Sequence, residues 1–437
     1  MRNTGSNAQL VFGHKNYPFS VYSDRLLLHL VKITRSLKIS YLYLKMKLLH
    51  FIILLLLISS SLFAQNYDES KVPAYTLPEI LLSNSKKKIT SVKDWENIRR
   101  PEILALFEEH VYGTMPKKFD RIAFLVKNEN KKAMAGKATL REVEITVFNN
   151  AQSVLINLLI FIPNGLKKPA PAFLLINNRG KNNTSPTRDT ISGFWPAEQV
   201  VSSGYAIAAF HVSDAAPDNK KDFQNGVLKL YPEQLTADNG MKAIGSWAWA
   251  ASRVMDYLEK DRQIDAAKIT VVGHSRGGKA SLWTAAQDKR FAMCVTNCSG
   301  NTGAALSHRK FGETIARINT SFPFWFNNNY KKYNNNEQAL PLDQHMLLAL
   351  IAPRPLYVTN ASEDLWADPK GTFMAEKEAE SVYKLYNLNS ALPANPPAIN
   401  TPLVKPPLAY HIREGKHDLT AYDWAQFVKL ADNYFKK

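Results

Sequence analysis

The stretch Gly273–Gly277, which reads Gly-His-Ser-Arg-Gly, constrains the fold of this chain more than any other. A β-branched run ending in Val271-Val272 precedes it and an apolar, helix-prone run begins at Ala280, so the pattern predicts a strand, a sharp turn and a helix. Glycines must flank the serine because such a turn is strained and the backbone passes close to its neighbours. Ser275 would then face the first N–H groups of the helix, which favour a developing oxyanion. We therefore predict a nucleophile; the alternative is a chance match to a five-residue pattern.

The composition is that of an ordinary globular protein, with 437 residues, 45% of them hydrophobic and 21% charged. The formal net charge is +17, but eight of the 55 Lys and Arg residues and one of the 38 Asp and Glu residues lie in residues 1–64, which leaves +10 for the rest. Because no dense block of Lys and Arg remains, we expect no nucleic-acid binding.

The two cysteines, Cys294 and Cys298, predict neither a disulfide nor a metal centre. If they share a strand, they lie about 13 Å apart on one face, too far to bridge. The chain also has no metal-ligand spacing, so we expect no metal.

The segment 46–64 resembles a signal peptide. Met46 begins a short basic stretch, an apolar run covers 51–58, and small residues lead to Ala64. We expect translation to start at Met46, cleavage after Ala64 and export to the periplasm or beyond, without stable membrane association. Residues 1–45 match no domain pattern and are interpreted as a spurious or untranslated extension. A retained membrane anchor is the alternative, because the apolar stretch approaches the length of a span.

The order of predicted elements in residues 65–437 is typical of a single catalytic domain of the α/β-hydrolase fold. A capped helical segment begins at Ser91 and ends at Gly113. Hydrophobic alternation predicts a strand at 142–147 and a hairpin partner at 153–163. Further strands are predicted at 173–177, 206–211, 268–272, 291–298, 355–360 and 408–413. The predicted fold class is α/β, a three-layer α/β/α sandwich with a mainly parallel central sheet and loop insertions.

The sequence also predicts the structure of three segments outside the strands. Trp247 and Trp249 lie in a helix predicted at 241–260 and are expected in the core. The basic segment 308–317 is predicted to be helical. The Asn-rich stretch 327–337 is predicted to be a solvated loop without a chemical role.

A serine hydroxyl needs an imidazole to take its proton and a carboxylate to orient that imidazole. In this fold class the chain order is Ser, acid, His. Of the seven histidines after residue 64, His411 and His417 follow the late strands. His411 lies within a predicted strand, so His417, in a loop, is the predicted base. The loop after the strand at 355–360 offers three acids; Asp364 lies nearest the strand exit, with Glu363 and the turn-capping Asp368 as alternatives.

Two cations follow the nucleophile. Arg276 is the next residue, and Lys279 lies one helical turn further on, so both can face the pocket. A helix N-terminus disfavours positive charge, so their presence there indicates use. Arg276 is a candidate donor either to the oxyanion or to a substrate group derived from a carboxylate, and Lys279 is a candidate ligand of substrate hydroxyls.

The segment Gly273–Lys279 resembles the Gly-Cys/His-Ser-Arg-x-Gly-Lys signature of the glucuronoyl esterases, a carbohydrate esterase family that cleaves esters of 4-O-methyl-glucuronic acid in xylan. The resemblance runs from Arg100 to Trp424, and its departures from the family pattern point to the bacterial type. Further matching motifs are Trp247–Trp249, Gly303–Ser307, Phe311–Glu313, Leu340–His345 and Asp364–Pro369.

The resemblance implies a role for each candidate. The implied roles are Ser275 as nucleophile, His417 as base, Asp364 as acid, Arg276 as oxyanion stabiliser, and Lys279, Glu313 and Trp366 as contacts to the uronate sugar. Many family members place a glutamate after the strand that follows the elbow helix, whereas this chain has Cys298 there. Asp364 matches the bacterial variant, whose acid lies in the later loop. The stretch 177–182 also departs from the Asn-Phe-x-Gly-Asn-His run that is more usual in relatives.

These features predict a secreted serine esterase that hydrolyses glucuronic or 4-O-methyl-glucuronic acid esters on xylan, as in lignin–carbohydrate cross-links. We expect glucuronoxylan as substrate, no metal or organic cofactor, and a monomer. Two alternatives stay open. One is an esterase with the same triad that acts on acetylated xylan or another carbohydrate ester; Lys279, Glu313 and Trp366 favour a uronate over this. The other is a sugar-binding protein without catalysis, which the intact triad residues disfavour.

Overall fold

The structure, a computed structural model, describes residues 20–61 and 65–436 and divides into two compact units, Met1–Ala64 and Gln65–Lys437. In the first unit the described residues form one helix, α1 (Ser20–Ser61). The expected start, Met46, lies inside α1. The expected cleavage point after Ala64, and residues 1–19 of the expected extension, lie outside the described residues. Within the described ranges, no helix combines the length and the apolar character needed to cross a membrane.

The second unit is built on one mostly parallel sheet. Its strands are β1 (Arg121–Ala133), β2 (Ala138–Asn149), β3 (Gln152–Pro163), β4 (Ala170–Asn177), β5 (Ala206–His211), β6 (Ile264–His274), β7 (Met293–Asn297), β8 (Leu356–Ala361) and β9 (Leu408–Arg413). Among the described residues these nine strands form the order β1-β2-β3-β5-β4-β6-β7-β8-β9. The pairings from β1 through β3 to β5 are antiparallel, and those from β5 through β4 to β9 are parallel.

The hydrophobic pattern explains this architecture. In β2, Val143, Ile145 and Val147 are buried while the residues between them are partly exposed, as the alternation predicts. In β4, by contrast, Phe173 belongs to a hydrophobic cluster on one face and Leu174 to the cluster on the other. A strand buried on both faces needs helices on both sides, which gives the three layers.

The helices form the outer layers. They are α2 (Val92–Asp94), α3 (Arg100–Phe107), α4 (Ala197–Ser202), α5 (Val212–Ala215), α6 (Glu233–Thr236), α7 (Ala243–Leu258), α8 (Arg276–Gln287), α9 (Ile315–Ser321), α10 (Gln344–Ala349), α11 (Pro369–Leu385) and α12 (Ala421–Phe435). Short π-helical segments are Trp95–Arg99 and Glu108–Tyr112, and 3₁₀ turns are Glu69–Lys71, Lys181–Thr184, Val227–Lys229, Ser307–Arg309, Asn329–Tyr333, Glu337–Ala339 and Leu365–Ala367. Trp247 and Trp249 of α7 are buried, so their core assignment is confirmed.

One local prediction is wrong and another holds only in part. The segment 308–317 is not one helix, because Lys310 and Gly312 have φ angles of 53° and 63°, in the left-handed region that ends a right-handed helix. In the stretch 327–337, Lys331, Lys332, Asn335 and Asn336 are exposed, as a solvated loop requires. Asn327 is instead buried, and its amide donates to the carbonyls of Glu108 and Glu109 at 3.1 and 2.9 Å. The first part of this asparagine-rich stretch therefore provides internal hydrogen bonds.

The parallel strands bring the predicted site residues to one edge of the sheet. Ser275 directly follows β6, Asp364 follows β8 and His417 follows β9. Because the carboxyl ends of parallel strands lie at the same edge, segments distant in the chain converge there.

Candidate active site

Ser275 lies on the predicted sharp turn between β6 and α8. Its φ and ψ are 56° and −127°, a strained conformation for a residue with a Cβ atom. Its N–H donates to the Asn297 carbonyl at 2.8 Å, which ties the turn to the end of β7. A Cβ on Gly273 would lie 1.9 Å from the Gly277 carbonyl oxygen, so the backbone can close only with glycine there. Ser275 precedes the first turn of α8, and the N–H groups of Gly278 and Lys279 donate to its carbonyl at 2.9 and 3.2 Å. The N–H groups that come before these in a helix have no acceptor within it.

His417 and Asp364 form the predicted acid–base pair. Nδ1 of His417 lies 2.6 Å from Oδ2 of Asp364. The Asp364 side chain is 4% exposed, whereas that of His417 is 38% exposed. The carboxylate is therefore shielded from water while the imidazole reaches the cavity. This geometry fixes the ring with Nδ1 on the acid and leaves Nε2 free to accept a proton.

The two loops that carry this pair are cross-linked through their backbones. The Glu363 N–H donates to the Gly415 carbonyl at 3.0 Å, and the Ser362 N–H donates to the Arg413 carbonyl at 2.9 Å. Gly415 has a φ of 106°, so this turn requires a residue without a Cβ. The distance between His417 and Asp364 is thus set by the scaffold and not by two free loops.

Arg413 stabilises the histidine loop from beneath. Its guanidinium donates to the carbonyls of Glu414, Lys416 and Asp418 at 2.9, 2.6 and 2.9 Å. It also donates to Asp423 of α12 at 3.1 Å. The side chain is 7% exposed, so these bonds are shielded from competing water. Sequence reasoning missed this residue, because only the closed loop shows which carbonyls it meets.

A cavity of about 240 Å³ joins these groups to the candidate sugar-binding residues. It is lined by Ser275, Lys279, Cys298, Ser299, Gly300, Glu313, Trp325, Asp364, Trp366 and His417. In the described part of the chain, neither Oγ of Ser275 nor Nε2 of His417 has a hydrogen-bond partner, so both are available to a substrate. A larger depression of about 600 Å³, between the first strands and the segment 186–202, contains none of the predicted site residues.

Lys279 and Glu313 form a buried ion pair in this cavity. Nζ of Lys279 lies 2.7 Å from Oε2 of Glu313, and the two side chains are 3% and 5% exposed. The ammonium also donates to the carbonyls of Ser299, at 2.8 Å, and Asn301. Burial lowers the pKa of Lys279, while the Glu313 carboxylate favours the charged form. All three ammonium protons are therefore engaged by the protein, and Oε1 of Glu313 accepts no hydrogen bond from the described residues.

The sequence predicted that Arg276 faces the pocket, but Arg276 is not among the residues that line the cavity. Its guanidinium forms an ion pair with Asp218 and donates to the Asn178 carbonyl at 3.2 Å. It also lies 6.0 Å from the centre of the Trp325 ring, and that ring does line the cavity. Arg276 thus stands at the rim, one side chain away from the pocket. The Asp218 carboxylate holds it there.

Two aromatic side chains lie on the cavity wall. Trp366 is half-buried, with the Arg317 guanidinium 5.8 Å from its ring centre. Trp325 stacks on Phe322 with ring centres 3.7 Å apart, and its indole N–H donates to Asp218 at 2.8 Å. The sequence analysis named Trp366 but missed Trp325 and Asp218. Both lie in irregular loops whose positions no spacing pattern reveals.

Cys298 adjoins the acid–base pair. A ligand atom from each of Cys298, Asp364 and His417 lies within 4.8 Å of the other two. Burial raises the pKa of the Cys298 thiol well above its usual range, and the Asp364 carboxylate adds to this, so the thiol stays protonated. The Asp364 hydrogen bond engages Nδ1 of His417, which is the arrangement of the acid and base in a Ser-His-Asp triad. Cys294 and Cys298 are both free, as predicted.

His274, beside the nucleophile, is a structural histidine. It is fully buried, with Nδ1 2.6 Å from the Asn297 amide oxygen and Nε2 3.4 Å from Arg179. Burial lowers its pKa well below 6.5, and the nearby His417 acts in the same direction. The ring is therefore neutral, and it adds no positive charge beside the imidazole of His417.

Comparison with known proteins identifies the family of the chain. The family model described as "Glucuronyl esterase, fungi" matches residues 145–387. Carbohydrate esterase MZ0003, from an unknown prokaryotic organism, is 39% identical over 399 residues, which cover 84% of this chain and 92% of the relative. The glucuronoyl esterase from Solibacter usitatus superimposes with a TM-score of 0.78 at 38% identity, over 83% of this chain and 99% of that structure. The 4-O-methyl-glucuronoyl methylesterase 1 of Wolfiporia cocos (strain MD-104) is 27% identical over 327 residues, 72% of this chain and 74% of the relative. The resemblance seen in the sequence is confirmed: the chain belongs to the glucuronoyl esterase family and has the α/β-hydrolase fold.

Proposed function

We propose that this chain is a serine esterase that hydrolyses esters of glucuronic or 4-O-methyl-glucuronic acid carried on xylan. The observation that carries the proposal is a single cavity. It holds the strained Ser275, the pair of His417 and Asp364 at 2.6 Å, and the buried ion pair of Lys279 and Glu313. The first three residues supply acyl-transfer chemistry, and the ion pair supplies polar groups for a sugar. Relatives named 4-O-methyl-glucuronoyl methylesterase and glucuronoyl esterase support the same substrate class.

Acylation begins when the Ser275 hydroxyl attacks the C6 carbonyl carbon of the uronate ester. Nε2 of His417 takes the hydroxyl proton, and the Asp364 carboxylate stabilises the resulting imidazolium through Nδ1. The carbonyl oxygen becomes an oxyanion, which the first N–H groups of α8 stabilise. The Arg276 guanidinium, paired with Asp218 near the cavity, adds positive charge that favours the oxyanion.

Collapse of the tetrahedral intermediate breaks the ester C–O bond. His417 donates its proton to the departing alcohol, and the uronate remains as an acyl ester of Ser275. Water then enters, loses a proton to His417 and attacks the same carbonyl carbon. The second collapse returns the proton from His417 to Ser275 and releases the free uronic acid, which then loses its proton to water. Atoms and charges balance without an added cofactor.

The sugar-recognition groups have distinct roles in this proposal. Oε1 of Glu313 accepts hydrogen bonds from sugar hydroxyls, while Lys279 fixes the carboxylate through Oε2. Trp366 and Trp325 line the wall of the cavity and supply apolar surface for the pyranose. A buried acceptor left unpaired by a smaller acyl group carries a cost, so this wall favours a uronate over an acetyl group.

We also propose how the chain is processed and where the enzyme acts. Residues 46–64 act as a signal peptide, residues 1–45 are outside the functional protein, and residues 65–437 act as one catalytic domain. The enzyme works in the periplasm or outside the cell, as a monomer and without stable membrane association. The division of the chain into compact units after Ala64 supports this boundary.

The test compares two substrates on one enzyme preparation. The protein is given the methyl ester of glucuronic acid and, separately, acetylated xylan, and acid release is followed by titration. We expect turnover of the uronate ester with kcat/KM at least tenfold above that for acetyl groups. Turnover of acetylated xylan alone would keep the triad and overturn the uronate assignment. Binding of glucuronoxylan without turnover of either ester would favour a sugar-binding protein.

A further inference from the structure

The first residues of the catalytic unit lie against the two loops that carry the candidate sugar-binding groups. The Asn66 carbonyl accepts the Gly312 N–H at 2.8 Å, next to Glu313. The Tyr67 ring meets Phe311 edge to face, with ring centres 6.3 Å apart. The segment Asn66–Glu69 is thus in direct contact with the loop that delivers Glu313 to the cavity.

Glu69 extends this contact to the second loop. Its Oε1 accepts from Arg309 at 2.6 Å and its Oε2 from Lys370 at 2.9 Å. Arg309, 3% exposed, also donates to Asp368 at 2.9 Å. Asp368 in turn caps the start of α11, immediately after the loop that carries Asp364 and Trp366. One carboxylate therefore joins the 309–313 loop to the 364–370 loop.

The joined loops also meet inside the cavity wall. The Glu313 N–H donates to the Trp366 carbonyl at 2.9 Å, and a Cβ on Gly312 would lie 2.5 Å from that same carbonyl oxygen. A small shift of either loop would therefore move both candidate sugar contacts. Tyr67 lies within electrostatic reach of the site: burial raises its pKa, Arg317 lowers it and Asp364 raises it.

We propose that the segment Asn66–Glu69 is a positioning element of the substrate site: it clamps the loops of Glu313 and Trp366 together and so sets the affinity for the uronate. The inference rests on the proposed function for the identity of the sugar, but the clamp itself is a property of the loops. Ser275 directly follows β6, Asp364 follows β8 and His417 follows β9. Although Asp364 begins the 364–370 loop, the Ser362 and Glu363 N–H groups hold that end of the loop against the carbonyls of Arg413 and Gly415. The clamp therefore acts on substrate binding more than on the chemical step.

The test uses the double variant Tyr67→Ala/Glu69→Ala in the full chain. The matched control is Lys71→Ala, since Lys71 is exposed and pairs only with Asp68 among the described residues. We expect KM for the methyl ester of glucuronic acid to rise at least fivefold in the double variant, with kcat within twofold. Turnover of 4-nitrophenyl acetate, which is too small to need the sugar wall, should stay within twofold. Lys71→Ala should match the parent on both substrates.

Hydrogen exchange gives a readout that does not depend on the substrate. The amides of Gly312 and Glu313 should exchange at least tenfold faster in the double variant, and those of β6 should be unchanged. Unchanged exchange and unchanged KM would overturn the clamp. An equal loss of turnover on both substrates would also overturn the clamp, because that result indicates general destabilisation. If the double variant fails to fold, the same measurements on Glu69→Gln, which keeps the shape of the side chain, test the clamp. Failure of the parent to cleave the uronate ester would reject the proposed function, while exchange at Gly312 would still decide the clamp.

Discussion

The buried pair of Lys279 and Glu313 allows a quantitative prediction for Glu313→Gln. The substitution removes the negative charge but keeps the shape of the side chain, so Lys279 stays in a site that is 3% exposed without a counter-charge. Removing one partner of a buried pair costs about 3–5 kcal/mol. Because the ammonium keeps its bonds to the carbonyls of Ser299 and Asn301, we expect the low end, about 3 kcal/mol.

Urea unfolding measures this cost. With an m-value of roughly 3 kcal/mol/M for a unit of this size, the midpoint of Glu313→Gln should fall by about 1 M. The double variant Lys279→Met/Glu313→Gln removes both charges, so it should cost at least about 2 kcal/mol less than the sum of the two single variants.

The pH dependence of the same variant has a defined sign. Burial lowers the pKa of Lys279 below its ordinary 10.5, and removing Glu313 lowers it further. Between the folded and unfolded pKa values the unfolded chain binds more protons, so stability rises with pH. The deficit of Glu313→Gln should therefore shrink between pH 7 and pH 10. Three results would contradict a buried ion pair of this strength: a loss of less than about 1 kcal/mol in the free energy of unfolding of Glu313→Gln, additive effects of the two single variants, or a stability difference that grows with pH.

Three further predictions concern other parts of the fold. Gly273→Ala should lower kcat/KM on the uronate ester by about 100-fold, because its Cβ would lie 1.9 Å from the Gly277 carbonyl oxygen and must displace the elbow; activity within threefold of the parent would contradict this. Arg413→Lys should lower kcat by about tenfold with KM changed less than threefold, since a single ammonium cannot hold the carbonyls around His417; an unchanged kcat would show that the loop holds its own shape. Burial raises the pKa of Glu376 well above 4.5, so the folded state binds more protons and loses stability as pH rises above 4.5. Glu376→Gln should consequently be more stable than the parent at pH 8 in urea unfolding, with the difference vanishing near pH 4; a pH-independent difference would count against this account.

Most of the fold was predictable because hydrophobic patterns report burial directly. The alternation in 142–147 and the unbroken apolar run at 173–177 each appear as the expected kind of strand. The prediction of a helix at 308–317 was wrong because Lys310 adopts a left-handed conformation, which is not expected for a lysine. The burial of Asn327 was unpredictable for a similar reason, because the acceptors of its amide are carbonyls more than 200 residues away.

In the candidate site too, residues on local motifs were predictable from the sequence, whereas residues brought together by distant loops were not. Ser275 lies on a local motif, and His417 and Asp364 follow from the order of late strands, so the sequence places all three. Trp325 and Asp218 are near the cavity only because separate loops converge, and no local pattern marks them. The roles of the predicted residues in catalysis and sugar binding stay predictions until they are measured.

In the proposed mechanism Asp364, and not a neighbouring acid, orients His417 and stabilises the imidazolium that forms when His417 takes the proton of Ser275. The direct measurement is kcat on the methyl ester of glucuronic acid for the parent and for Asp364→Asn, with Glu363→Gln as matched control, since Glu363 is the exposed neighbour and the rival acid in the same loop. The account predicts a loss of about 10³–10⁴-fold in kcat for Asp364→Asn, because the imidazolium loses its counter-charge, and less than a twofold change for Glu363→Gln. Retention of a tenth or more of the parent kcat by Asp364→Asn, or an equal loss in Glu363→Gln, would contradict it.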